Sequence, residues 1–118
     1  MFDRLEIFAL ANARAQHSAA RQAVVAQNIA NADTPGYRAR DVSDFMDTWR
    51  RLQSPQTRDG DGALPVGVID AGTPASPNGN TVSLELEMLR GIEAQRAHSR
   101  ALQIYGSAMS ILRTSIGR

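Results

Sequence analysis

Apolar residues in the first third of the chain recur at three- and four-residue steps. Leu5, Phe8, Ala9, Ala15, Ala19, Ala23, Ala26 and Ala30 fall on one stripe, with Asn12 the polar member. Neither Gly nor Pro interrupts residues 3–31, so the spacing predicts one long helix over that range. Ten of the first 32 residues are Ala, the strongest helix former. The stripe is thin: bulky groups stand near its ends (Leu5, Phe8, Leu10; Val24, Val25, Ile29), with small Ala between. Such a face permits close backbone approach but buries little area per residue.

A second long helix is predicted over residues 82–116. Asn78-Gly79 is a turn signal, and Asn80 or Thr81 is the expected N-cap. Glu85 and Glu87 lie in the first turns, where the helix dipole favours acids. The seam Leu102, Tyr105, Met109, Leu112, Ile116 runs at 3-4-3-4 spacing, a heptad-like pattern. Gly117, with Arg113 and Arg118 beside it, fits a C-terminus. Gly91 and Gly106 weaken this helix by up to about 1 kcal/mol each against Ala.

Between the helices the pattern breaks up. Val42, Phe45, Trp49 and Leu52 share a face if residues 41–52 form a short helix. Residues 53–80 hold four of the five Pro and five of the nine Gly, which predicts an extended, flexible segment. Only "ALPVGVID" suggests a strand, and Pro65 and Gly67 restrict it to an edge or a lone ribbon. The expected fold is therefore all-α dominated. Long N- and C-terminal helices pair as an antiparallel coiled-coil-like hairpin around a Pro/Gly-rich, largely extended middle. The expected organisation is a single domain over residues 1–118: helix 3–31, turn motif and short helix 32–52, flexible or extended middle 53–80, helix 82–116. Helices of that length would be about 43 and 52 Å long, too long for a compact two-helix domain. Their narrow Ala-rich seam implies a core completed by neighbouring subunits.

Composition narrows the function. All 13 basic residues are Arg and the net charge is +1, which suits ion pairing with the 12 acids rather than nucleic-acid binding. There is no Cys, hence no disulfide or thiol chemistry. No apolar run reaches the ~18 residues of a membrane span. "MFDRLEIFAL" does not read as a secretory signal, so the expectation is a cytoplasmic chain or one exported by a route that reads no cleaved signal peptide. The signatures of phosphate-binding loops, nucleophile elbows and zinc helices are missing, and no cofactor is expected. His17 and His98 fall at the same level of an antiparallel pair, but no third metal ligand can be named. Asp33, Asp41, Asp44 and Asp47 alternate with Arg, the last three at three-residue spacing, which reads as an ion-paired face rather than a metal site. Tyr37 and Trp49 with flanking Arg could stack bases, but the interleaved Asp would repel phosphate. A non-enzyme is expected.

The densest run of special residues is "NIANADTPGYRARD", Asn28 to Asp41. Asn28 and Asn31 lie on one helix face, and Asn31 suits a C-cap. Pro35 ends the helix, Pro35-Gly36 suits the centre of a type II turn, and Tyr37 can lock that turn against the helix. Asn28, Asn31, Thr34, Pro35, Gly36 and Tyr37 resemble the Asn-x-x-Asn-x-x-Thr-Pro-Gly-Tyr signature of bacterial flagellar rod and hook proteins. "GNTVSLELEM" and "ILRTSIGR" are similar to the proximal rod members. The resemblance covers about residues 2–45 and 79–118. It implies a structural subunit of the basal-body rod that self-assembles into a helical drive shaft transmitting motor torque. It further implies export through the flagellar type III apparatus, a place in the periplasm-spanning rod, and neighbours that include the rod protein FlgC, the adaptor FliE and the MS ring protein FliF. On this reading Asn28, Asn31, Thr34, Pro35, Gly36 and Tyr37 are an assembly motif. Leu5, Phe8, Ile29, Leu102, Tyr105, Met109, Leu112 and Ile116 are helix-seam packing residues. No nucleic-acid partner and no membrane insertion are implied. The alternatives are another rod protein such as FlgC, or a small helical-hairpin adaptor outside the flagellum.

Overall fold

A computed structural model describes residues 2–54 and 64–117. Three helices dominate. Helix α1 spans Phe2–Ala30, α2 spans Phe45–Gln53 and α3 spans Leu84–Ile116, with strands β1 (Arg40–Val42) and β2 (Val68–Asp70) between them. The molecule is elongated, 63 × 31 × 19 Å, its length set by the two long helices.

α1 and α3 lie against each other. The Phe8 and Tyr105 rings meet edge to face at 5.2 Å. His98 Nδ1–H donates to the Ala15 carbonyl at 3.1 Å, and Arg21 reaches Glu93 at 3.3 Å. A Cβ placed on Gly91 would touch Val25. Gly91 is thus a point of close contact, which offsets its low helix propensity.

The buried apolar set is small: Ala11, Ala13, Val25, Ala39, Val42, Phe45, Ala94 and Ala101. His17, Ser18, Asn28, Ser43, Thr48, Asn80, Thr81 and Glu87 are buried with them. With polar side chains as numerous inside as apolar ones, hydrogen bonding must specify much of this fold. The buried face of α1 runs through Ala11, Ser18, Val25 and Asn28, and it corrects the Ala stripe read from sequence. Ala19, Ala23, Ala26 and Ala30 are exposed. Spacing alone cannot rank two stripes of similar apolarity on an Ala-rich helix. The expected seam is also only partly enclosed. Phe8, Met109 and Leu112 are half-buried, while Leu5, Ile29, Leu102, Tyr105 and Ile116 are exposed, Ile116 by 78%. Within one chain, α1 and α3 are too few to surround these side chains.

The middle departs from expectation in two places. β1 pairs antiparallel with β2, Arg40 opposite Asp70 and Val42 opposite Val68, so "GVID" is one half of a ribbon. Ser43 N–H to Gly67 O and Ala71 N–H to Ala39 O extend the ladder. Asp41 and Val42 therefore belong to a strand, and the short helix starts later than the periodicity suggested. The second departure is the α3 N-cap. It is Ser83, whose Oγ accepts from Leu86 N–H at 3.5 Å, rather than Asn80 or Thr81, both buried in other bonds. At the other end Gly117 closes α3 in the left-handed conformation, as expected. Of the segment expected to be extended and flexible, residues 55–63 lie outside the described residues.

On α2, Phe45 and Thr48 are buried. The Phe45 ring takes the edge of His17 at 5.5 Å, stacks near Trp49, and carries the Arg14 guanidinium 4.6 Å above its centroid. Beside the ribbon, Arg38 and Asp70 pair at 2.7 Å. The Arg38 hydrogen bond, followed by the Gly72 N–H, holds the Asp70 carboxyl below its ordinary range. The pair's contribution is present above the unfolded carboxyl's pKa and lost as pH falls through the folded one. It is small, because both groups are solvated.

The observed faces make a direct prediction. Ala94→Leu, at a position 1% exposed, should overpack the α1–α3 contact and cost about 1–3 kcal/mol. Ala23→Leu, on the exposed stripe, should change stability by no more than about 0.5 kcal/mol. Thermal melts followed by circular dichroism compare the two.

Candidate assembly joint

The end of α1 is closed by its own sequence. Asn31 N–H bonds the Gln27 and Asn28 carbonyls, and Asn31 Nδ2 donates to Gln27 O at 2.9 Å. Thr34 N–H donates to Asn31 O, and Thr34 Oγ1–H to Asn31 Oδ1. The next turn is Thr34-Pro35-Gly36-Tyr37, closed by Tyr37 N–H to Thr34 O at 3.2 Å. Gly36 has φ +74°, the left-handed value required at the third residue of a type II turn.

Tyr37 and Asn28 lock this turn to the helix. Asn28 is fully buried, and its carboxamide makes three bonds. Oδ1 accepts from Tyr37 Oη–H at 2.9 Å and from Arg40 N–H at 3.1 Å, while Nδ2 donates to Arg40 O at 2.7 Å. One side chain thereby fixes the chain nine and twelve residues downstream. It also starts β1 in register.

A second turn docks on the first. Gly79 N–H bonds Ser76 O, and Gly79 sits at φ +85°. Gly36 N–H donates to Asn78 O at 3.0 Å. A Cβ on Gly79 would stand 3.3 Å from the Gly36 Cα, so glycine serves here for both conformation and space. Asn80 mirrors Asn28 from the α3 side. Its Nδ2 donates to Asn31 O at 2.9 Å and Thr34 O at 2.7 Å, and its Oδ1 accepts from Val82 N–H. Thr81 N–H bonds Tyr37 O, Thr81 Oγ1 accepts from Ala39 N–H, and the Thr81 carbonyl accepts from Thr73.

Charged groups continue the joint along the helices. Asp41 stands between Arg21 of α1 at 3.2 Å and Arg90 of α3 at 3.7 Å, and Arg90 also meets Glu87 at 2.9 Å. Glu87 is fully buried, and its Oε2 has no hydrogen-bond partner among the described residues.

All six motif residues therefore meet in one place: Asn28 buried, Asn31 and Tyr37 half-buried, Thr34, Pro35 and Gly36 at the surface. Their partners are Asn78, Asn80 and Thr81, which no local pattern ties to the motif. "NGNT" carried a signal, but it was read as a local cap. The acidic set does not assemble: Asp41 is in β1, Asp44 precedes α2 and only Asp47 lies within it. His17 bonds Ser43 O through Nε2–H and His98 bonds Ala15 O, so each ring serves a separate backbone carbonyl. No group of three metal-binding side chains occurs among the described residues, and none of their helices is long and apolar enough to cross a membrane.

The stretch that builds this joint is also where the chain meets known proteins. Residues 9–38 match the family model of the flagella basal body rod protein. This segment carries the flagellar basal body rod signature. The flagellar basal body rod protein FlgB of Agrobacterium fabrum is 51% identical over 41 residues, 35% of this chain and 31% of the relative. FlgB of Escherichia coli is 56% identical over 41 residues and that of Salmonella typhimurium 54%, each over 26% of the relative. The chain thus covers less than a third of the length of these relatives. The rod signature contains the whole of the first turn. The second turn, Ser76 to Gly79, and the Asn80-Thr81 pair after it lie beyond the family match.

Two substitutions grade the joint. Asn28→Ala leaves Arg40 N–H, Arg40 C=O and Tyr37 Oη–H without their partner and should cost about 3 kcal/mol or more. Tyr37→Phe removes a single bond and should cost about 1 kcal/mol. Urea denaturation measures both.

Proposed function

We propose that this chain is a structural subunit of the proximal rod of the bacterial flagellar basal body. It assembles with copies of itself and other axial proteins into the helical drive shaft that transmits motor torque. One observation carries the reading: the rod signature builds the joint that holds the two long helices. Their contacts support an antiparallel, coiled-coil-like hairpin. Phe8 meets Tyr105, Ala15 meets His98 and Arg21 meets Glu93, so partners fall along α3 as they rise along α1. The exposed large hydrophobics on both helices suit a core that neighbours complete.

The role is mechanical rather than catalytic, in keeping with relatives named as rod proteins. The proposed partners are FlgC, FliE, the MS ring protein FliF and the flagellar type III export apparatus. The proposed location is the periplasm-spanning rod. Asn28, Asn31, Thr34, Pro35, Gly36 and Tyr37 serve there as the assembly motif.

Deleting the gene should leave cells non-motile and without rods in electron micrographs; motile cells with intact rods would refute the assignment. Gly36→Val is a finer test. No neighbour lies within 4 Å of a Cβ at Gly36, so the substitution acts through its φ of +74°, which a β-branched residue strongly disfavours. It should abolish swimming while leaving the subunit expressed and exported. Normal swimming would reduce the turn to a surface loop.

A further inference from the structure

A groove of about 460 Å³ opens where the N-terminal half of α1, the start of α2 and the middle of α3 meet. Ile7, Leu10, Met46 and Ile104 line it, each at least 41% exposed, and Arg14 and Arg100 stand in its wall. Neither Arg forms an ion pair among the described residues, and no acid lines the groove. Arg14 rests on the Phe45 ring, so its guanidinium is met by a ring face rather than by a carboxylate.

The complement lies at the other end of the molecule. Leu84, Met88, Leu89 and Ile92 on the first turns of α3 are 48–64% exposed, and Glu85 stands among them at helical spacing. Glu85 has no cationic partner among the described residues, and the nearby Arg90 is turned inward to Glu87 and Asp41. One surface is thus an apolar groove with two cations that no carboxylate pairs among the described residues. The other is an apolar helix face with an unpaired anion.

We infer that the groove receives the first turns of α3 from a second copy of this chain, with Glu85 of that copy between Arg14 and Arg100. The two surfaces cannot meet within one copy. Glu85 and Arg100 share a continuous helix that holds them about 22 Å apart. The contact joins different patches, so any pair of copies still has one free groove and one free helix face, and the series stays open. This rests on the reading of the chain as a subunit of a helical assembly, and it names the surfaces that join copies.

Sedimentation velocity of the purified full chain tests it. Association should rise with concentration, and Arg100→Glu and Glu85→Arg should each weaken it about tenfold or more, equivalent to about 1.4 kcal/mol. An equimolar mixture of the two variants should recover it, because each then meets an opposite charge. Circular dichroism confirms that the variants fold; should Arg100→Glu fail to, Arg100→Gln must weaken association in the same direction. A chain that stays monomeric, single variants that associate like the parent, or a mixture that does not recover would overturn the contact. So would binding to anionic phospholipid vesicles that Arg100→Glu abolishes, without self-association, which would assign the groove to a membrane surface. A chain that fails these tests yet is found in isolated basal bodies would overturn this contact and leave the rod reading standing.

Discussion

The buried carboxamide of Asn28 is the constraint on which the rest of the structure depends. It offers a donor and an acceptor from one short side chain, and both are used. An aspartate of the same shape would turn an oxygen toward the Arg40 carbonyl, and a leucine would leave three polar groups dry. Once Asn28 holds Tyr37 and Arg40, the bend after α1 can go only one way. β1 then lies along α1, and Asp41 comes within reach of Arg21 and Arg90. Ala39 N–H meets Thr81, which brings in the segment leading to α3. Each step places groups that the following one needs, so the joint organises contacts well beyond its own residues.

The thin core explains why so much rests on polar groups. Ala11, Ala13, Ala94 and Ala101 let α1 and α3 approach closely, but each removes little apolar surface from water. Burial drives association without fixing direction, whereas hydrogen bonds to defined carbonyls fix angle and register. Asn28 from one helix and Asn80 from the approach to the other bond the same short turn from opposite sides. Glu87 is the least satisfied buried side chain among the described residues. One oxygen is held by Arg90 and the other has no hydrogen-bond partner among them, a cost offset by the nearby guanidinium.

Much of this was legible in the chain, and the division follows the range of the interactions. Both long helices, the Pro35-Gly36 turn, the Tyr37 lock and the Gly117 cap depend on neighbours within about one or two helical turns, where periodicity and turn chemistry speak. The ribbon was half read, because Arg40–Val42 takes its conformation from residues 68–70 and carries no alternation of its own. Asn80 and Thr81 were assigned to a cap for a similar reason. Their types suit capping, and nothing local says that carbonyls of residues 31, 34 and 37 compete for them. The buried face of α1 was misplaced by an Ala-rich composition in which several stripes look alike. Asn28 stands out in the sequence as a residue type, but its partners are set only by the bend.

The distribution of satisfied and unsatisfied surface bears on the proposed role. At the joint nearly every buried polar group has a partner, and the geometry is specified without help from another chain. Along the helices the reverse holds: Leu5, Ile29, Leu102 and Ile116 stay in solvent although the pattern calls for burial. A chain whose seam residues were all enclosed internally would have no apolar area left to offer a neighbour. A chain without the polar joint would offer that area at no fixed angle. A directional, self-sufficient joint combined with bare apolar faces is what the proposed role asks of a subunit: a shape set by its own contacts and apolar area left for neighbours to cover.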